Sequence, residues 1–313
     1  MPEPSVRPPR PPLLLLVLLG ALLLTACAPG GGERPADVLV IGQSAEPKSL
    51  DPHVATSLND FRILVNLYEG LAKFRSGTLE PVPALARRWE ISDDGKRYTF
   101  HLREGVRFHD GTPFDAAAVV FNFERMLRAD HPYHHTGPFP LAFFFDKVEE
   151  VVAEDSHTVV FHLGEPFAPL LANLAYPTGL MVSPAAVREH GADYGRRPAG
   201  TGPFRLVEWE PRRRVMLERN PDYHGAPARA RILAFRPLTD PMTRVAELMA
   251  GGIDLVTELS PDNVALLRGD PRFRVYEQTG PHLWYVILNT EAQPFADRRA
   301  RQAVNYAIDK SAL

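Results

Sequence analysis

Apolar positions along this chain change period from segment to segment, and the changes mark out its elements. Val38-Leu39-Val40-Ile41 is a continuous apolar run closed by Gly42. Such a run predicts a buried strand leading into a loop. That loop, residues 44–57, holds Pro47 and Pro52 and opens a helix over residues 59–71, where Phe61, Leu64, Val65 and Tyr68 recur at helical spacing. Tyr98-Thr99-Phe100-His101-Leu102 alternates as a half-buried strand after the turn Asp93-Asp94-Gly95-Lys96. Asp115 is placed to cap a helix over residues 116–127. Residues 148–153 and 158–163 flank Asp155-Ser156 as a hairpin. Residues 204–209 and 215–219 form a second, with a basic tip at Arg212, Arg213 and Arg214. Asp240-Pro241 starts a helix that Gly251-Gly252 ends, and residues 253–256 return as a strand. Val286-Ile287-Leu288 predicts a further buried strand. Residues 298–308 predict an amphipathic helix with Ala300, Ala303, Val304 and Ala307 inward. No fixed-period repeat is visible, which argues against a solenoid.

The N-terminus follows a different logic. An apolar run over residues 13–24 follows a short leader containing Arg7 and Arg10. The run is shorter than the roughly 20 residues that span a bilayer, and it ends in small residues, which is the layout of a secretory signal. Leu24-Thr25-Ala26-Cys27 resembles the lipobox of bacterial lipoproteins, which implies cleavage before Cys27 and lipidation of that residue. Residues 1–26 are therefore expected to be a signal peptide. Residues 27–37, with Ala28-Pro29-Gly30-Gly31-Gly32, are expected to form a flexible tether.

Charge and cysteine content remove several function classes. The formal net charge is −3, without the basic stripe of a nucleic-acid binder. Cys27 is the only cysteine, so the body has no intrachain disulfide. Asp93-Asp94 and Glu149-Glu150 are adjacent carboxylates that point apart, and no pair is placed to face one cleft as glycoside chemistry requires. The chain contains no nucleophile elbow, zinc-protease helix or P-loop, so an enzyme is not expected. Asp130-His131-Pro132-Tyr133-His134-His135 offers imidazole and carboxylate groups, but Pro132 breaks helical spacing and no second His/Cys group stands nearby. The segment is read as a solvated loop, with no metal and no cofactor.

Three ordered blocks carry a family resemblance. The first runs from Leu85-Ala86-Arg87-Arg88-Trp89-Glu90 through Phe108-His109-Asp110-Gly111-Thr112-Pro113-Phe114. The second is Gly200-Thr201-Gly202-Pro203-Phe204 with Asn220-Pro221-Asp222-Tyr223. The third is Leu288-Asn289-Thr290 with Arg298-Arg299-Ala300-Arg301-Gln302-Ala303-Val304-Asn305-Tyr306-Ala307-Ile308-Asp309. Together they resemble the family 5 extracellular solute-binding proteins of ABC importers. Asn122-Phe123-Glu124-Arg125 with residues 131–134 looks most like the dipeptide-binding branch.

The resemblance implies an α/β, periplasmic-binding-protein-like two-lobe clamshell of type II. Lobe I would cover residues 38–280, with an inserted subdomain over about 50–183, and residues 281–313 would cross to the start of lobe II. Members of the family continue further, complete a second lobe and return to the first. The chain is therefore expected to be part of a longer protein. The implied ligand is a short peptide, with nickel chelates, sugars or another small solute as alternatives. The implied partners are ABC permease subunits with their ATPases and, through the anchor, a membrane; a sensory role on the same fold is a further alternative. Segments that line up with ligand-facing positions are Thr56, Ser57 and Leu58; Tyr133; and His282, Trp284 and Tyr285.

Overall fold

A computed structural model of the protein describes residues 35–278 and 285–309. Cys27, the signal and most of the tether lie outside the described residues, as do His282 and Trp284. The chain divides into two compact units, one up to Val264 and one from Ala265.

The first unit is built on two sheets. Strands β1 (Val38–Gln43), β8 (Phe204–Glu210), β9 (Arg214–Arg219), β10 (Ile232–Pro237) and β11 (Leu255–Val256) form a mixed sheet in the order β11-β1-β10-β9-β8. β1 runs parallel to β10, with Val38 opposite Ile232, and parallel to β11, with Ile41 opposite Leu255. The β8–β9 and β9–β10 pairs are antiparallel. β1 is flanked by parallel strands and covered on both faces, which is why it reads as an unbroken apolar run rather than an alternating one. The second sheet is antiparallel and joins β4 (Ala86–Ile91), β5 (Arg97–Leu102), β6 (Val148–Asp155) and β7 (Thr158–Leu163) in the order β4-β5-β7-β6. A short ribbon pairs β2 (Ala72–Phe74) with β3 (Pro81–Pro83).

Each sheet has its own core. Phe100, Phe123, Phe145 and Phe161 are fully buried against the antiparallel sheet. Their rings meet edge to face, Phe123 lying 4.8 Å from Phe161 and 5.1 Å from Phe145. The other main core lies between the mixed sheet and helix α1 (Leu58–Leu67), and contains Ile63, Leu64, Leu67, Leu217 and Phe235. Helix α2 (Ala116–Leu127), capped by Asp115 as expected, is the seam: Val119 and Phe123 enter the first core while Phe121 enters the second. Asn122 fastens that seam. Its amide nitrogen donates to the Val182 carbonyl at 2.9 Å, and its carbonyl oxygen accepts the Val182 N–H at 2.8 Å. Two short helices, α3 (Leu170–Ala175) and α4 (Pro184–His190), flank the seam, and α5 (Pro241–Met249) leads back toward β11.

Gly200 and Gly202 are required by close approach rather than by unusual torsions. A Cβ on Gly200 would stand 2.2 Å from the Leu67 carbonyl oxygen, and one on Gly202 would stand 2.6 Å from that of Asn66. His109 clasps the same segment: its Nδ1 accepts the Gly200 N–H and its Nε2 donates to the Gly202 carbonyl.

Helix α6 (Pro261–Arg268) runs across the division between the units. Two expectations fail in the second unit. Residues 286–288 form no strand, and Val286 and Ile287 are exposed. A strand of that length needs a ladder partner, and the described residues supply none. Helix α7 (Arg298–Ala307), capped by Asp297, does form, yet it buries nothing: Ala303 and Ala307 are exposed, Ala300 and Val304 half-buried. Its apolar stripe has the right period, but burial needs an opposing surface, and none covers it among the described residues.

Candidate ligand-binding face

The carboxyl ends of β11, β1 and β10 open onto one edge of the mixed sheet. Crevices outside the carboxyl ends of parallel strands are where open α/β sheets bind ligands, because chain crossovers leave backbone groups and loops free there. β1 ends at Gln43, whose carbonyl accepts the Leu238 N–H after β10; the Gly42 carbonyl accepts the Thr257 N–H after β11.

Helix α1 presents its N-terminus at this edge. Ser57 is the N-cap, and its hydroxyl accepts the Asn59 N–H. Asp60 closes the capping box by accepting the Ser57 N–H, and its other oxygen accepts the Lys48 N–H at 2.9 Å. Burial pushes the Asp60 carboxyl up, and these backbone donors oppose the shift. The box fixes the loop before the helix, since two otherwise orphaned donors are satisfied at once. Thr56 and Leu58 project outward from this fixed turn, while Ala55 is buried beneath it.

Further side chains gather here. The Asn59 amide donates to Ser44 Oγ at 3.2 Å and accepts from Arg62 Nη1 at 2.9 Å. Arg62 Nη2 pairs with Glu258 Oε1 at 2.8 Å. Partial burial works against the Glu258 carboxylate, but its bonds to Ser44 and Arg62 hold it below the ordinary range. Glu258 has φ of 62°, a left-handed conformation that costs a non-glycine residue of order 1 kcal/mol or more. Buried Arg244 reaches the same turn, with Nη1 donating to the Leu238 and Thr239 carbonyls and Nη2 lying 3.5 Å from the Glu258 carbonyl. Gln43 Oε1 and Arg244 Nε are buried here without a partner among the described residues. Backbone strain and unpartnered polar atoms thus fall together at this edge of the sheet.

Sequence reasoning singled out Thr56, Ser57 and Leu58 at this edge and did not single out Ser44, Arg62 or Glu258. Glu258 follows a predicted strand, and nothing in its identity signals a left-handed turn. Tyr133 lies elsewhere: its half-buried ring packs 5.8 Å from Phe121 and stacks at 6.4 Å on His135. No hydrogen bond or ring contact joins it to residues 56–58 among the described residues. Tyr285 is exposed in the second unit. The histidine segment is only in part the solvated loop expected: Asp130, Pro132 and His135 are exposed, but His131 and His134 are held. His134 Nδ1 is engaged by the Arg125 carbonyl at 2.9 Å, and His131 packs edge-on to Phe121 at 5.0 Å. Phe121 and the half-buried core edge give those rings apolar surface to cover, which outweighs their solvation.

Beneath the loop over residues 51–58 lies a buried polar network. Arg125, fully buried, donates from Nη2 to Asp51 Oδ2 at 2.6 Å, from Nε to Thr136 Oγ1 at 2.9 Å, and from Nη1 to His53 Nδ1 at 3.3 Å. His53 Nε2 donates to the Leu180 carbonyl at 3.0 Å, so this histidine is neutral with its proton on Nε2. Burial drives its pKa down to about 4, Asp51 opposing and Arg125 reinforcing the shift.

The lobe built on the mixed sheet has the fold of periplasmic solute-binding proteins. Residues 80–313 match the family described as bacterial extracellular solute-binding proteins, family 5, middle region, and the chain belongs to that family. It is 33% identical over 301 residues to a probable D,D-dipeptide-binding periplasmic protein of Escherichia coli K12, covering 93% of this chain and 57% of that one. It is 32% identical to a dipeptide-binding protein of the same organism, covering 89% of this chain and 55% of that protein. Among solved structures, it superposes on a dipeptide-binding protein from Pseudoalteromonas sp. SM9913 in complex with Met-Leu. That match has a TM-score of 0.80 and 29% identity, and covers 87% of this chain and 57% of the other. The chain thus spans little more than half the length of these relatives. No helix among the described residues is long and apolar enough to cross a membrane.

Proposed function

We propose that the chain holds lobe I, largely complete over residues 38–280, and with residues 281–313 the crossing to the start of lobe II, of a two-lobed receptor that captures short peptides outside the cytoplasmic membrane and delivers them to an ABC permease. The observation that carries this reading is the superposition on a relative holding Met-Leu, at a TM-score of 0.80 over 87% of the chain. The polar side chains gathered at the strand ends support it. In this reading Thr56, Ser57 and Leu58 offer backbone groups and side chains to an extended ligand. Tyr133 and, on their own segment, His282, Trp284 and Tyr285 are further candidate ligand contacts, each with a hydrogen-bonding tip. Main-chain pairing reads the backbone that all peptides share, so specificity stays broad. Cys27 carries the lipid anchor, and residues 28–37 let the receptor swing from the membrane surface.

Thermal-shift titration of the full-length gene product tests this, with di- and tripeptides, sugars and a nickel–histidine chelate as separate arms. A ligand that binds only the folded state raises Tm progressively once its concentration passes Kd. Stabilisation by peptides is the expected result. Stabilisation by the chelate or a sugar, with none by any peptide, would refute the peptide assignment.

A further inference from the structure

We infer that Arg125 is the positioning residue of the ligand-binding face: one buried guanidinium sets two chain segments that are far apart in sequence. The inference rests on the peptide-receptor reading for the identity of those segments, and on geometry for the linkage.

One arm of Arg125 controls the loop. Its Nη2 holds Asp51 at 2.6 Å, and Asp51 organises everything that follows. The Asp51 carboxylate accepts the His53 N–H at 2.9 Å through its other oxygen, while its carbonyl accepts the Val54 and Ala55 N–H groups at 3.2 and 3.0 Å. The turn over residues 51–55 therefore hangs on Asp51, and Thr56, Ser57 and Leu58 follow directly. The other arm reaches the Tyr133 segment. Nε donates to Thr136 Oγ1 at 2.9 Å, and that hydroxyl donates in turn to the Tyr133 carbonyl at 2.7 Å. The Arg125 carbonyl also receives His134. Phe139 closes over the guanidinium, 5.0 Å from its carbon.

The chemistry suits arginine alone. Its planar fork carries five donors in fixed directions, so it can bond Asp51, His53 and Thr136 together; a lysine ammonium is a point charge and cannot span them. A buried ion pair is also a poor source of stability, because desolvation of both charges offsets their attraction. A fold needing only cohesion here would do as well with apolar side chains. Directional control of two segments is what the fork adds.

The test uses the full-length gene product with Met-Leu and Ala-Ala as probe peptides. Arg125→Met combined with Asp51→Asn removes both charges and keeps an acceptor for the His53 N–H. The expected result is a Tm near that of the parent, with amide exchange of Val54, Ala55 and residues 56–59 and 133–136 at least tenfold faster. Protection in β5 and β7 stays unchanged, and probe Kd weakens at least tenfold. Arg125→Lys, which keeps the charge opposite Asp51, serves if the double variant does not fold, and it should speed exchange at residues 133–136 in the same way. Unchanged exchange in both segments overturns the inference, and so does faster exchange with unaltered probe Kd. If the parent protein binds neither peptide nor any other, the peptide reading fails separately, and the exchange measurements still decide the role of Arg125.

Discussion

Asn122→Ala isolates the join between the two cores. Asn122 is fully buried, and its side chain spends three hydrogen bonds: one to the Ala118 carbonyl at 2.8 Å and two to the backbone of Val182. Truncation leaves the Val182 N–H and C=O unpaired in an apolar setting. Each unsatisfied buried group costs about 1–3 kcal/mol, so the loss should be about 2–6 kcal/mol. A water entering the small cavity and bonding both groups would hold the loss near the lower figure. In a unit of this size 1 kcal/mol moves Tm by about 2–4 °C, so Tm should fall by about 4–24 °C. Asn122→Asp adds a pH signature. The oxygen facing the Val182 N–H survives, but the donor to the Val182 carbonyl becomes a buried carboxylate whose folded-state pKa is raised by desolvation. Its stabilising contribution is present below the unfolded carboxylate pKa and is lost as pH rises through the folded one, so this variant should be more stable near pH 4 than near pH 7, relative to the parent. Urea unfolding of the soluble body measures both. A loss under about 1 kcal/mol for Asn122→Ala would show that the seam is held by apolar packing alone, contrary to the reasoning from orphaned backbone groups.

Gly200→Ala should destabilise more than an ordinary loop substitution, because the new Cβ would meet the Leu67 backbone at 2.2 Å; a Tm within 2 °C of the parent would refute the close-approach argument. His53 is neutral in the fold with its pKa lowered to about 4, against 6.5 unfolded. Its stabilising contribution is therefore complete above pH 6.5 and is lost as pH falls toward 4. His53→Gln should flatten the Tm–pH curve across that window, and a parallel curve would contradict it. Cys27→Ser should move the expressed protein from the membrane fraction to the soluble fraction and abolish lipid labelling; unchanged fractionation would remove the anchor from the proposal.

Periodicity along the chain determined most of the elements. The run at residues 38–41, the cap at Asp115 and both hairpins lie where local pattern places them, because strand alternation and helix capping are decided by near neighbours. The motif blocks also carried the family. The second unit shows where pattern stops: residues 286–288 and the stripe of α7 have the right apolar content, but burial is a property of an opposing surface and no local signal supplies one. The same holds for the candidate site. Ser57 was legible only as part of a loop opening a helix, and Arg62 shares that helix, but Ser44 and Glu258 come from two distant segments that the parallel pairing of β1 with β11 brings together. Glycine at 200 announced an unusual position, and tertiary structure decided that the reason was the Leu67 carbonyl rather than a torsion. Arg125 stands in a helix pattern like any surface arginine. That it lies fully buried on Asp51 follows from the packing of α2 across two cores, a through-space fact with no signature in the chain around it.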